Sequence, residues 1–433
     1  MHLSRATIAA TAIALWATAL AAQVSLHDLP ALARARAERL RPDQEKKLEP
    51  FWTDLALDYY KDNSQFLDGR IAQVAALGDS VVPLLLEKLQ PVANNTQSRN
   101  LAANCRRVLE RLDPAGFLDA LVELAASGND IARIEAIQLL GRSGSARAVP
   151  VLARMLAEGR ANETQYLLLA MVQLHDPSVA EQMAPMLGSA DRSIRSGVLD
   201  YLTAAKAVTA LPMALQGIAQ ENDKGLLPKY VEYLGAVAHE HDQAARALLP
   251  LLDRERLDWR DTKRLVQVLA TVAPRGHDPT VRRLQELLDT GDTGALGLEA
   301  ALTLRALGDR SGLKKLQSTI NDGLKRRRQE PQLYEDRANA YLATGEWKDA
   351  ADDYEKVLEL SNSPTLQRKV RLLLVKCEAH RNRSDRLLKI LKDGNLGPDD
   401  VASLAQDDPV VQDALQRPSV RAWLQAQSHD KGK

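Results

Sequence analysis

The sequence is poor in aromatic residues and has no net charge, and each shortage excludes a class of protein. Phe, Trp and Tyr make up only 4% of the 433 residues, whereas Ala and Leu dominate the hydrophobic 45%. This composition favours closely packed helices over a β-sandwich. Because 57 basic residues balance 57 acidic ones, we predict no nucleic-acid partner and no general attraction to an anionic membrane. At this length, several domains or an extended array are expected.

Cysteine is nearly absent, which excludes the architectures that depend on it. Cys105 and Cys377 lie far apart, each inside an amphipathic run. Structural zinc sites need clustered ligands, and disulfide-rich folds need several cysteine pairs in a short chain. We therefore expect two buried, unreactive thiols.

Long hydrophobic runs are also missing, except at the beginning of the chain. The stretch ATIAATAIALWATALAA follows a basic residue and contains a small-x-small pattern. This is typical of a signal peptide over residues 1–22, cleaved after Ala21 or Ala22. An uncleaved anchor is the alternative. No later stretch approaches the ~20 apolar residues of a membrane span, so we expect an exported protein, periplasmic or secreted, without a transmembrane segment after cleavage.

One pattern recurs through most of the chain: an amphipathic run, a short turn with a small or acidic residue, and a second Leu-rich run. It is clearest in LLGRSGSARAVPVLARML (Leu139–Leu156) and AALGDSVVPLLLEKL (Ala75–Leu89). The turns lie 31 to 36 residues apart, with one double step of 66, at Asp79, Asp113, Ser145, Asp176, Asp242, Asp278 and Asp309. This period predicts one helix pair per repeat, with the turn residue capping the second helix. Such pairs must stack to cover both of their apolar sides.

The segment RIEAIQLLGRSGSARAVPVLARML resembles a HEAT repeat, of the short kind also found in phycobilisome-lyase-type proteins. The resemblance is good over Ala75–Leu89, Arg133–Leu156 and Glu299–Leu316, and is degenerate over the rest of residues 64–328. It implies an all-α fold, a right-handed α-solenoid of the armadillo and HEAT type. In that family the inner helices line a concave protein-binding surface. It implies no particular chemistry.

A second repeat type follows. The segment from Pro331 to Pro364 resembles a tetratricopeptide repeat, with large and small residues spaced as in that family at Tyr334, Ala338, Tyr341, Gly345, Ala350, Tyr354 and Leu358. Some family members bind a peptide carboxylate with Lys, Arg and Asn on the first helix. Glu335 and Asp336 would repel a carboxylate here, so we do not predict that site at Arg337 and Asn339. The solenoid is expected to continue into one or two such pairs.

The two ends are expected to cap the stack. Five aromatic residues lie close together near the N-terminal end, at Phe51, Trp52, Tyr59, Tyr60 and Phe66. We interpret them as a hydrophobic lid on the first repeat; an exposed aromatic binding patch is the alternative. At the C-terminal end we predict short helices broken at Pro409 and Pro418, followed by a disordered SHDKGK tail. The predicted organisation is a signal peptide (1–22), an N-terminal cap (23–63), HEAT-like repeats (64–328), tetratricopeptide-like repeats (329–393) and a C-terminal cap with tail (394–433).

Catalytic signatures are missing from the sequence, which contains no GxSxG, glycine-rich phosphate loop, HExxH or CxxC. The compact HEHD supplies His239, His241 and Asp242, which have the chemistry of metal ligands. They fall at a turn where Asp242 suits helix capping, and we favour that interpretation. We therefore predict neither a catalytic site nor a metal or other cofactor.

Partner-binding residues are predicted by analogy on the second helix of each pair, at Arg147, Arg154, Gln182 and Lys314. The run Lys325, Arg326, Arg327 and Arg328 is a further candidate, as a site for an acidic partner. Its alternative is the solvated C-terminal end of a helix, where positive charge is favourable.

The leading functional hypothesis is an exported, non-catalytic scaffold or assembly factor that presents a solenoid groove to a protein or peptide. One alternative is an enzyme, or an accessory subunit of one, that acts on an envelope polymer or a bound cofactor. A structural component of the envelope is the other. Fold class does not choose among them.

Overall fold

A computed structural model of the protein describes residues 42–253 and 256–430. Within these ranges there are 24 α-helices and no β-strand, so the predicted all-α solenoid is confirmed. The predicted signal peptide and the beginning of the predicted N-terminal cap lie outside the described residues. No single described helix is long and apolar enough to cross a membrane, and one pair of helices reaches that length and composition only across a bend of 105°.

The chain forms two compact units, Met1–His239 and Glu240–Lys433. The described helices of the first unit are α1 Pro42–Leu55, α2 Ser64–Ala75, α3 Val82–Lys88, α4 Thr96–Glu110, α5 Leu118–Ser127, α6 Asp130–Arg142, α7 Ala148–Ala157, α8 Thr164–Leu174, α9 Ala180–Met183, α10 Arg192–Ala204, α11 Leu211–Gln220 and α12 Leu227–Val237. Those of the second unit are α13 Asp242–Leu248, α14 Trp259–Val272, α15 Asp278–Asp289, α16 Ala295–Ala306, α17 Ser311–Arg326, α18 Pro331–Thr344, α19 Trp347–Leu360, α20 Pro364–His380, α21 Ser384–Asp393, α22 Pro398–Asp407, α23 Pro409–Gln416 and α24 Pro418–Asp430.

The first unit is a two-layer stack of helix pairs. Its first layer consists of α2, α4, α6, α8, α10 and α12, and each of these helices packs on the next. Its second layer consists of α3, α5, α7, α9 and α11; all except the one-turn helix α9 pack directly on the first-layer helix that follows. The predicted period therefore corresponds to one helix from each layer, and each pair is covered by its neighbours.

The turns between paired helices carry local capping chemistry. The carboxylates of Asp113, Asp176 and Asp309 accept hydrogen bonds from the backbone N–H two residues further on, at 3.2, 2.8 and 2.7 Å. At Asp113 and Asp309 the bond satisfies an unpaired N–H group at the beginning of the following helical segment. At Asp176 it closes the turn that precedes α9. Pro83 and Pro212 lie at the second position of α3 and α11, where a missing N–H costs nothing.

Successive first-layer helices are also joined by ion pairs. Arg106 of α4 contacts Glu135 of α6 at 2.7 Å. The Arg133 guanidinium of α6 donates to both carboxylate oxygens of Glu163, at 2.6 and 2.9 Å. The Arg133 and Glu163 side chains are only 3% and 0% exposed. These hydrogen bonds to Glu163, more than any other influence, raise the pKa of Arg133.

The second unit repeats this layering before the helices become longer. Helices α14, α16 and α18 form one layer, and α13, α15 and α17 form the other. Next comes a hairpin of α18 and α19, which turns at Gly345 in the left-handed region with φ +80°; α20 packs on α19. The predicted breaks at Pro409 and Pro418 are confirmed as the first residues of α23 and α24. Helix α24 continues to Asp430, into the segment expected to be disordered.

Both cysteines are buried free thiols, as expected. Burial raises the pKa of Cys377 to about 12 and raises that of Cys105 still further. Because the thiolate is the nucleophilic form, we expect neither group to react at neutral pH.

We expect Arg133→Met to lower the free energy of unfolding by about 3–5 kcal/mol, because it removes both guanidinium hydrogen bonds of the buried Glu163 carboxylate and leaves only Arg160 beside it, at 3.8 Å. Replacing both residues, as Arg133→Met with Glu163→Met, should restore most of that loss, since no charge then remains buried. Urea unfolding measures both effects.

The matched control is Arg147→Met, which removes an exposed contact of 2.7 Å with Asp119. It should change the free energy of unfolding by less than about 1 kcal/mol. If Arg133→Met and Arg147→Met lowered the free energy of unfolding equally, burial of the Arg133–Glu163 pair would have no effect on stability.

Candidate partner-binding surface

The N-terminal end of the first unit is closed by aliphatic residues. Leu48 and Leu55, two turns apart on α1, are buried, together with Leu67 and Ile71 of α2. The prediction of an aromatic lid is wrong, because these leucines already occupy the face of α1 that meets the stack. The nearby aromatic residues are half-buried or exposed at Phe51, Trp52, Tyr59, Tyr60 and Phe66. The alternative, an exposed aromatic patch, holds for Tyr60 and Phe66, whereas Phe51, Trp52 and Tyr59 are half-buried.

Side-chain amides of α4 fix the segment that carries two of these aromatic residues. The buried Asn104 donates to the carbonyl oxygens of Leu55 and Leu57 at 2.8 and 3.0 Å. These carbonyls lie at the end of α1 and have no helical partner of their own. The segment containing Tyr59 and Tyr60 therefore leaves α1 in a defined direction.

Three cations lie over the aromatic rings. The Arg107 guanidinium carbon is 4.1 Å from the ring centroid of Tyr59, and that of Arg70 is 5.2 and 5.1 Å from the centroids of Phe51 and Phe66. The ammonium group of Lys88 is 5.4 Å from the centroid of the Trp52 ring. We call the five aromatic residues with Arg70, Lys88 and Arg107 the aromatic–cation cluster.

Two carboxylates hold this cluster in place. Asp54 contacts Arg70 at 2.9 Å, and Asp68 accepts the hydroxyl of Tyr59 at 3.2 Å to each oxygen. Partial desolvation, followed by the bond to Asp68, raises the pKa of Tyr59 above its usual range. The Tyr59 phenol is therefore a hydrogen-bond donor at every physiological pH.

The cluster has the composition of a protein-binding surface. Tyr60 is 83% exposed and Phe66 is 46% exposed. Aromatic residues and arginine are enriched at protein interfaces and dominate their binding energy. Each cation–π contact at an exposed site contributes about 0.5–1 kcal/mol, which favours these ring positions without fixing them.

The residues predicted to bind a partner lie on the second helices of their pairs. Arg147 immediately precedes α7 and is exposed in its contact with Asp119, and the half-buried Arg154 lies further along the same helix. Gln182 is exposed on α9, and Lys314 is exposed on α17 in the second unit. The first three therefore share the second layer of the first unit.

The basic run lies at the end of α17, and all four of its side chains are exposed. Lys325 contacts Asp322 at 2.8 Å, and this hydrogen bond lowers the pKa of Asp322. Arg326, Arg327 and Arg328 form no ion pair with a carboxylate in the described part of the chain. The position is that of a solvated helix end, and it also leaves three guanidinium groups accessible to an acidic partner.

The HEHD segment performs helix capping, although with a different residue from the one expected. His241, not Asp242, caps α13, since its Nδ1 accepts the N–H of Ala244 at 3.3 Å. Asp242 is already the first residue of α13 and contacts Arg246 at 2.9 Å and His277 at 3.1 Å. His239 is exposed. Among residues 42–253 and 256–430, no three His, Cys, Asp or Glu side chains are grouped to hold a metal ion.

The polar residues of α18 that could have held a carboxylate are engaged within the fold. Arg337 donates to both oxygens of Asp353 at 2.7 Å and to Asn321 at 2.8 Å. Asn339 accepts the hydroxyl of the buried Tyr354 at 2.7 Å. These contacts stabilise the hairpin and leave neither side chain positioned for a ligand.

Comparison with known families gives a match for one segment of the first unit. Residues 86–172 match the family model for HEAT repeats. The chain is thus a helical-repeat protein in which this segment is similar to HEAT repeats. The matched segment runs from α3 into α8 and includes both the Arg106–Glu135 and the Arg133–Glu163 pairs. No curated protein matches the chain.

We expect Tyr60→Ser and Phe66→Ser each to lower the free energy of unfolding by no more than about 1 kcal/mol, because each exposed side chain makes one cation–π contact. Leu55→Ala should lower it by about 2–5 kcal/mol, because it removes a buried side chain of the true lid. Urea unfolding of the three variants measures this difference. If Tyr60→Ser lowered the free energy of unfolding as much as Leu55→Ala does, Tyr60 would be part of the buried core and not of the surface.

Proposed function

We propose that the protein is an exported, non-catalytic scaffold or assembly factor that binds a protein or peptide partner. The observation that carries the proposal is the aromatic–cation cluster, in a chain with few aromatic residues overall. HEAT repeats commonly serve as protein-interaction scaffolds, which supports the same function. Within this proposal, the cluster is the principal contact, and the second-layer residues Arg147, Arg154 and Gln182 extend it.

The placement of buried carboxylates supports a non-catalytic role. Glu163 is paired with Arg133, Glu335 with Lys369 and Asp353 with Arg337. Each of these pairs joins different helices or the segments that flank them. Catalytic carboxylates are instead grouped in a cleft with perturbed pKa values and access to substrate. These pairs are accounted for by the packing of the stack.

The α18–α19 hairpin supports a tetratricopeptide assignment for part of residues 329–393. It turns at Gly345 and buries Ala338, Ala350 and Tyr354 at its centre, which are positions of the family pattern. We propose that this hairpin is a tetratricopeptide-like pair, and that the HEAT-like repeats are of the phycobilisome-lyase type. We propose the basic run at Lys325–Arg328, in the second unit, as a separate site for an acidic partner.

Export is the part of the proposal that rests on the sequence of residues 1–22. We expect protein isolated from the soluble envelope fraction of its host to begin at Ala22 or Gln23, because the signal is cleaved after Ala21 or Ala22. N-terminal sequencing measures this. Protein that keeps its first residues and sediments with membranes would show an uncleaved anchor.

Crosslinking mass spectrometry in the host tests partner binding. We expect reproducible crosslinks from the first unit to one protein, and we expect Tyr60→Ser with Phe66→Ser to reduce them about tenfold or more, because two surface anchors are lost. The matched control is Trp259→Ser in the second unit. Trp259 is 62% exposed and has Arg260 over its ring at 5.6 Å.

The control should leave the crosslinks of the first unit unchanged. Equal losses from both sets of variants would show a general surface effect and not a specific site. Crosslinks that survive the Tyr60 and Phe66 substitutions would remove the cluster from the proposed interface.

A further inference from the structure

A small cavity opens in the second layer of the first unit. It lies between the 3-10 helix Ala184–Gly188 and α11 and has a volume of about 100 Å³. Its walls include the apolar side chains of Pro185, Leu187 and Met213. Gln182, one of the predicted partner-binding residues, lies on α9, directly before this 3-10 helix. The cavity therefore belongs to the layer to which partner binding is assigned.

The charged groups of the cavity are already satisfied. The Arg195 guanidinium donates to the Glu221 carboxylate at 2.9 and 3.2 Å and to the carbonyl of Ser189 at 2.9 Å. The same carboxylate accepts the backbone N–H groups of Asn222 and Asp223 at 3.0 and 2.9 Å. A charged ligand would have to break these bonds, whereas an apolar group would not. The cavity therefore favours an apolar occupant.

The rim of the cavity has different chemistry. Gln216 of α11 is exposed at the rim, and its amide forms no hydrogen bond with any other part of the chain that the structure describes. A glutamine amide is both a donor and an acceptor. It can therefore pair with a peptide group, which presents one N–H and one C=O.

We propose that this cavity is an anchor site for one aliphatic or methionine side chain of a bound peptide, whose backbone pairs with Gln216. The volume lies between the ~30 Å³ of one water molecule and the ~150 Å³ of a cavity that holds benzene. It therefore accommodates the end of a single Leu, Ile or Met side chain but not a lipid chain. This inference rests on the proposed function, since the peptide is a segment of the partner.

Methionine methyl groups provide the reporter for a test. The chain has six methionines; Met213 lines the cavity, and Met155 is buried in α7 away from it. With 13C-methyl-methionine protein, N-acetyl-leucine N-methylamide should shift the Met213 signal in a saturable manner and leave the Met155 signal unchanged. N-acetyl-glycine N-methylamide has the same backbone without the side chain. It should bind at least about tenfold more weakly than the leucine probe.

A blocking variant tests whether the probe binds in this cavity. A Cβ at Gly188 meets no atom within 4 Å, so Gly188→Leu adds a side chain beside the cavity without a backbone clash. It should weaken binding of the leucine probe about tenfold or more, whereas Gly188→Ala should bind as the unchanged protein does. An unchanged Met155 signal verifies that both variants fold.

Two results would overturn the anchor site: equal responses of Met213 to the two probes, or no response to either. A Met213 response that Gly188→Leu does not reduce would do the same. If the leucine probe binds as expected but substitution of Tyr60 and Phe66 does not reduce the crosslinks, the anchor site is supported and the aromatic–cation cluster is not the partner-binding surface. The reverse combination would overturn the anchor site alone.

Discussion

The ion pair between Arg133 and Glu163 sets the relation between neighbouring helix pairs in the HEAT segment. Apolar packing tolerates small shifts of one helix along another, because the attraction has no direction. A buried guanidinium does not, because its hydrogen bonds fix both distance and orientation. Glu163 also lies at the N-terminal end of α8, where the helix dipole favours negative charge. The position of α6 relative to α8 follows from these bonds, and the layers on either side pack against these two helices.

The surface chemistry follows from what the core does not need. Leucine, valine and alanine fill most of the space between layers, although the four largest fully buried side chains are tyrosines, at Tyr201, Tyr230, Tyr233 and Tyr354. At the N-terminal end, however, the buried positions belong to Leu48, Leu55, Leu67 and Ile71. The aromatic residues at the N-terminal end are thus left to the surface, where arginine and lysine cover their faces. In the same way, Arg195 and Glu221 neutralise each other and leave an apolar cavity beside them. In both places, contacts made for stability define what a partner would meet.

Periodicity was the reliable signal in the sequence, because the helix pair is a local structure. The recurrence of Asp113, Asp176 and Asp309 identified real turns, and each residue does bond to the N–H two residues on. The exchange of Asp242 for His241 as the cap is an error of one residue, and helix boundaries are rarely defined better than that. The aromatic segment was misread because composition does not reveal which face of α1 meets the stack. The Arg195 cavity depends on residues up to 36 positions apart, and no local pattern reports such contacts.

Helix α6 takes part in two ion pairs that join successive first-layer helices of the matched segment. Glu135 receives the guanidinium of the helix before it, and Arg133 reaches the carboxylate at the beginning of the helix after it. One repeat therefore carries an acidic group for its predecessor and a basic group for its successor. The two groups occupy different places in the helix pair: Glu135 meets Arg106 within α4, whereas Arg133 meets the residue that precedes α8. Neighbouring repeats are therefore not interchangeable, because each interface in this segment has its own charge pair.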